Sequence, residues 1–176
     1  PDSARALSEQ ALEIADELGE QRVAGYALTN LGHALTLLNR PAEALAAYHR
    51  AVVIRQDLGD QVVALESQAG EIRALIALER LDEARPLVEN ILKHLEIGSL
   101  DGVEEPGRVY LTIFEALKLQ QDERAAAVLL AARKNLTDQA NRIQDEASRR
   151  SFLNNVAAHR QINAEYSTQG DANDFN

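Results

Sequence analysis

Apolar positions recur along this chain at spacings of three and four, the period of amphipathic helices packed on one side. Residues 22–38 place Ala24, Leu28, Leu31, Leu35 and Leu38 on a single face. Residues 42–58 repeat the pattern through Ala44, Leu45, Tyr48, Ala51, Val52 and Leu58. Blocks at 3–18, 62–79, 82–96, 105–119, 122–143 and 146–166 behave alike, so about eight helices are expected. The breaks between them have a mechanism. Asn39-Arg40-Pro41 stops one helix, and Pro41 suits the first turn of the next. Gly19 and Gly59 fall just past a helix end, where the backbone turns left-handed. The longest interruption runs from Gly98 to Gly107, and the polar segment 167–176 reads as a frayed tail.

These blocks are copies of one another. An offset of 40 superposes Ala11 on Ala51, Ile14 on Ile54, Leu18 on Leu58, Gly19 on Gly59, Leu35 on Leu75 and Arg40 on Arg80. One further step, of 41, sets Leu78 on Leu119 and Ala84 on Ala125. The units are a half unit at 3–18, pairs at 22–58, 62–96 and 105–143, and a closing helix at 146–166. A two-helix unit cannot bury its apolar face alone, so neighbours must stack. Ala44, Ala51, Ala84 and Ala125 are small enough to let helices approach to about 8–9 Å. The chain opens on the second helix of a pair and without an initiator Met, which reads as a piece of a longer protein; a simple N-terminal cap helix is the other reading.

The pattern Leu28-x2-Leu31-Gly32-x2-Leu35 followed by Ala44-x3-Tyr48-x2-Ala51 resembles a tetratricopeptide repeat (TPR). Its period of 40 is similar to the longer variant of kinesin light chains and spindle-orientation adaptors. The stretches Glu104-Glu-Pro-Gly-Arg-Val-Tyr110 and Asp145-Glu-Ala-Ser-Arg-Arg-Ser-Phe-Leu153, with Val156 and His159-Arg160, resemble the C-terminal TPR region of bacterial STAND-type signalling ATPases and transcriptional activators. The resemblance implies an all-α, right-handed solenoid of antiparallel helix pairs with a C-terminal capping helix. It also implies a concave groove lined by the first helix of each pair. The family's groove positions fall on Tyr26, Thr29, Asn30 and His33, then on Glu66, Ala69, Gly70 and Arg73, then on Tyr110, Leu111 and Phe114. Asn30 takes the place of the family's peptide-clamping asparagine, whereas its counterparts Gly70 and Leu111 leave the clamp incomplete. The third unit departs from the pattern, with Gln68, Glu71 and Ile72 where the family has apolar, apolar and small residues. In the fourth, Thr112 and Ile113 depart as well.

Composition narrows the chemistry. The 176 residues include no Cys, which removes disulfides, thiolate metal sites and Cys nucleophiles. There is no phosphate-cradling Gly motif, no HExxH and no His pair at metal-ligand spacing; His33, His49, His94 and His159 are scattered. Asp82-Glu83, Glu104-Glu105 and Asp122-Glu123 each stand where a helix starts and complement its dipole. Ser151 and His159, eight residues apart on one expected helix, are separated by about 12 Å of rise and cannot form a nucleophile–base pair. No catalytic residue, metal or cofactor is therefore expected. The net charge is −10 and aromatics are 4% of residues, which argues against nucleic acid as a direct partner. No apolar run reaches the ~18 residues of a membrane span, and a cytoplasmic location is expected. Residues 1–105 carry nine basic and nineteen acidic side chains, and residues 106–176 nine of each. A basic stretch over 133–160 reads as a solvated face or as a dock for an acidic neighbour.

The expected function is a non-catalytic scaffold that binds a peptide or partner domain in the groove, within a larger bacterial signalling or regulatory protein. The alternative is a small-molecule-sensing module of a STAND-type ATPase or activator. Leu7, Ala11, Ile14 and Leu18 on the first helix form an apolar edge suited to self-association. Phe152, Val156 and Ile162 are expected to seal the other end.

Overall fold

The turns explain the first half of the molecule. In this computed structural model, which describes residues 1–98 and 100–173 with side chains through residue 168, the first five helices are each 17 residues long. They are α1 (Asp2–Leu18), α2 (Gln21–Leu37), α3 (Pro41–Asp57), α4 (Gln61–Ala77) and α5 (Leu81–Ile97). Each turn between them contains one left-handed residue: Gly19 at φ 70°, Asn39 at 56°, Gly59 at 76° and Glu79 at 60°. The next amide then reaches back to a helix carbonyl, Glu20 to Ala15, Arg40 to Leu35, Asp60 to Arg55 and Arg80 to Leu75, all at 2.8–2.9 Å. This closure satisfies carbonyls that a helix end leaves without partners. Leu78 and Glu79 belong to such a turn, so the helix expected over 62–79 stops at Ala77.

The chain divides into two compact units, Pro1–Glu104 and Glu105–Asn176. In the first, α2 packs on α1 and α3, α4 packs on α3 and α5, and α2 and α4 lie side by side. Its core gathers Leu28, Leu35, Ala44, Ala47, Tyr48, Ala51 and Ala74, with Leu12, Leu31, Leu45 and Ile54 against them. The alanines at the crossings, Ala24, Ala44, Ala51, Ala64 and Ala84, are all buried. On α1 the buried side chains are Ser8 and Ala15, with Leu12 partly buried against the core, while Leu7, Ile14 and Leu18 remain 56–70% exposed.

The second unit comprises α6 (Pro106–Leu119), α7 (Arg124–Asn141), α8 (Glu146–Asn155) and α9 (Ala157–Asn173). Among the described residues the whole chain is thus nine helices with no strand. Val109, Ile113, Leu117, Leu129, Leu136 and Ile162 form the apolar interior here. The single helix expected over 146–166 is instead two. Val156 is extended (φ −82°, ψ 123°), and the carbonyl of Phe152 is taken by His159 Nδ1 at 2.8 Å rather than by a helical amide. His159 packs closely on Gly107, where a Cβ would lie 3.0 Å from its ring. Of the three residues expected to seal this end only Ile162 is buried; Phe152 is half-buried against the ring of the buried His159 at 4.4 Å, and Val156 is exposed. Residues 167–173 continue α9 instead of fraying; the rest of the expected tail, 174–176, lies outside the described residues.

Candidate functional site

A tyrosine threaded between two glycines organises the face shared by α2 and α4. Tyr48 of α3 is fully buried, and its ring passes between Gly32 of α2 and Gly70 of α4. A Cβ at either glycine would come within 2.4–2.5 Å of the ring, so only glycine admits it. The Tyr48 hydroxyl thereby reaches His33, whose Nδ1 lies at 2.7 Å, with Thr36 Oγ1 at 3.4 Å. Arg73 Nη2 approaches the same hydroxyl at 3.5 Å and its guanidinium lies over the ring, 5.9 Å from the centroid.

The other nitrogen of His33 faces Glu66. Nε2 stands 3.7 Å from Glu66 Oε1, so placing the imidazole proton on Nε2 lets Nδ1 accept from the tyrosine. Glu66 is buried, and burial alone would push its carboxyl up. The neighbouring His33, the backbone amide of Glu104 at 3.4 Å and the charge of Arg55 outweigh that and hold it below the usual carboxylate range. Arg55 is itself buried, with its guanidinium 4.4 Å above the centre of the Tyr26 ring, and among the described residues its Nε has no hydrogen-bond partner. Thr29, also buried, donates to the Gly25 carbonyl or shares a proton with Ser67 Oγ at 2.8 Å, tying α2 to α4.

The expected groove residues thus separate by exposure. Asn30 and Tyr26 are exposed, and among the described residues the Asn30 side chain has no hydrogen-bond partner. His33 and Arg73 are half-buried beside them, whereas Thr29, Glu66 and Ala69 are interior. Tyr110 and Phe114 belong to α6 in the second unit. There Phe114 is buried with the Lys118 ammonium 5.4 Å from its ring centre, and Tyr110 is half-buried, its hydroxyl pKa raised by burial. Leu111 is interior as well.

Two participants escaped the sequence reading. Tyr48 read as an ordinary core residue, and its hydroxyl matters only because Gly70 stands beside Gly32. Arg55 carried a visible signal: it replaces the Ala15 of one period earlier, an arginine on a buried helix position. Comparison with protein-family models, curated proteins and solved structures returns no match for this chain.

Proposed function

We propose that this chain is a non-catalytic protein-interaction module of the TPR type, a right-handed solenoid whose α2/α4 face reads an extended peptide. The observation that carries the reading is Asn30: a mid-helix asparagine, exposed and uncommitted, beside polar groups whose positions are locked. Asparagine is a poor choice for a helix interior unless its amide is used. Around it, Tyr26 rests on Arg55, and His33 is pinned between Tyr48 and Glu66. Such pre-organised side chains lose little freedom when a partner arrives. The contact of Gly32 with Tyr48 also supports the TPR assignment, since both belong to the pattern on which the resemblance rests. The resemblance of Glu104–Tyr110 and of Asp145–Leu153, with Val156 and His159-Arg160, to STAND-type proteins supports a place within a larger bacterial signalling or regulatory protein. The sensing alternative draws on the cleft of about 440 Å³ between α3 and α5. That cleft is open on one side, which suits a partner's side chain better than an enclosed small ligand.

A displayed peptide library selected on the intact chain tests this directly. Selected peptides should bind Asn30→Ala more weakly by roughly 1–3 kcal/mol, because their backbone amides lose a partner in a partly dry groove. The variant should melt no lower than the parent, since alanine is the better helix former. Lower melting with unchanged affinity would discard the reading. The exposed Leu7, Ile14 and Leu18 on α1 further suit pairing with a second copy, and light scattering at rising concentration, compared with Leu7→Glu, reads that out.

A further inference from the structure

Charge and packing conflict at the floor of the cleft between α3 and α5. These helices flank α4 with their Cα atoms more than 8 Å apart. Leu45 and Ala46 of α3 and Leu87 of α5 form the walls, and Leu75 and Glu71 of α4 the floor. At the rim Arg80 and Glu83 close on each other through two bonds of 2.6 and 2.7 Å, so each neutralises the other. Among the described residues Glu71 has no arginine or lysine of this kind. It is 4% exposed, and its Oε1 is bonded to Nδ1 of His49, which also lines the cleft. An imidazole N–H supplies a hydrogen bond without a permanent positive charge. Burial correspondingly pushes the Glu71 carboxyl up, against the lowering effect of His49.

Packing does not require an acid here. One period earlier the same position is Leu31, which lies against the apolar core. Exchanging leucine for a buried carboxylate costs stability unless the charge is used, and violations of this kind concentrate at functional positions. We propose that the cleft receives a lysine or arginine side chain from a basic partner peptide, with the aliphatic stem along Leu45, Leu75 and Leu87 and the charged head on Glu71. The volume accommodates a long side chain, and stems of this type pack readily on apolar walls while the head keeps its charge paired. The net −10 carried by residues 1–105 draws a basic partner towards this half of the chain. None of the residues of the Asn30 face takes part, so either reading can fail without the other.

The test is an NMR titration of the full chain with acetyl-Ala-Lys-Ala-amide, following the methyl groups of Leu45, Leu75 and Leu87 and the His49 ring. The lysine peptide should shift all four, and its norleucine analogue should not. Glu71→Gln, which keeps an oxygen for His49, should weaken the lysine peptide about tenfold or more, the effect of losing a partly buried charge pair. His49→Ala frees the carboxylate and should bind at least as well as the parent. Equal binding of the norleucine peptide, unchanged affinity in Glu71→Gln, or equal losses in both variants would overturn the assignment. So would tighter binding of n-butylamine than of the peptide, which would make the cleft a site for a free amine.

Discussion

Helices α2 and α4 are the same element written twice, and they bury opposite kinds of surface. Both have 17 residues, end in the same hydrogen-bonded turn and share a buried frame of Ala24 and Ala64, Leu35 and Leu75. Between these anchors α2 carries Leu28, Leu31 and Gly32, and α4 carries Gln68, Glu71 and Ile72. The polar side chains of α4 survive burial because its two neighbours answer them. Asn90 of α5 donates to Gln68 at 2.8 Å, and His49 of α3 bonds Glu71. Sizes trade as well. Gly32 stands in α2 where α4 has Ile72, and one helix later Tyr48 of α3 corresponds to the smaller Val88 of α5. The repeat preserves helix length, turn and anchor positions; the middle of each helix varies provided its partners vary with it.

The largest expected effect breaks the glycine–tyrosine arrangement. Tyr48→Ala should cost about 3–5 kcal/mol, a large aromatic lost from a closed core. Gly32→Ala or Gly70→Ala alone should cost about 1–3 kcal/mol through overpacking against the ring. In the Tyr48→Ala background the same glycine changes should become neutral or stabilise by about 0.5–1 kcal/mol, since alanine is then free to act as the better helix former. Urea unfolding of the single and double variants measures this coupling. Additive losses would mean that the ring is not what excludes a side chain.

Swapping the central residues of α2 and α4 comes next. Glu71→Leu should raise stability by about 1–3 kcal/mol near neutral pH, and Leu31→Glu, which has no histidine prepared for it, should lower it by a similar amount or more. The pH dependence has a definite sign. The Glu71 pKa is raised in the fold above its ordinary 4.5, so wild type is penalised as pH rises through the folded value. The advantage of Glu71→Leu should therefore be smallest below pH 4.5 and grow above it. Glu66, five residues earlier on the same helix, behaves inversely. Its pKa is lowered, so its contribution is present above 4.5 and is lost as pH falls through the folded value. Glu66→Gln should destabilise near neutrality and lose its effect in acid. Thermal melts of the two variants across this range should diverge; parallel curves would show that the carboxylates share one environment.

What could be read from the chain follows from range. Helices and turns are local, so spacing, Gly19, Gly59 and Pro41 were enough to place α1 to α5 within two residues. Small residues at crossings were legible for the same reason. Features that depend on a distant partner were not. The break at Val156 goes with His159 packing closely on Gly107, across some fifty residues of sequence. His49 and Glu71 are 22 residues apart on different helices, and neither hints at the other. Among the expected groove positions, the resemblance placed Tyr26, Asn30 and His33 together on α2, yet it could not tell that Thr29 and Glu66 turn inward, because i+3 and i+4 neighbours straddle the edge of a buried face.

The smallest expected effect sharpens the comparison at the point where the two helices stop. Each is followed by one residue in the left-handed region, Asn39 after α2 and Glu79 after α4, at φ 56° and 60°. Asparagine tolerates this conformation because its short side chain bonds locally, whereas a glutamate Cβ crowds the following carbonyl. Glu79 is exposed, so packing does not compensate for the strain. Glu79→Asn should stabilise the chain by a few tenths of a kcal/mol, and Glu79→Gly by up to about 1 kcal/mol, partly offset by glycine's greater freedom when unfolded. The reciprocal Asn39→Glu should lose what Glu79→Asn gains. Melting temperatures of the three variants measure a difference set by backbone conformation alone, with no contact to the core. If Asn39→Glu left stability unchanged while Glu79→Asn raised it, the two turns would not be equivalent, and the period would hold for the helices but not for the links between them.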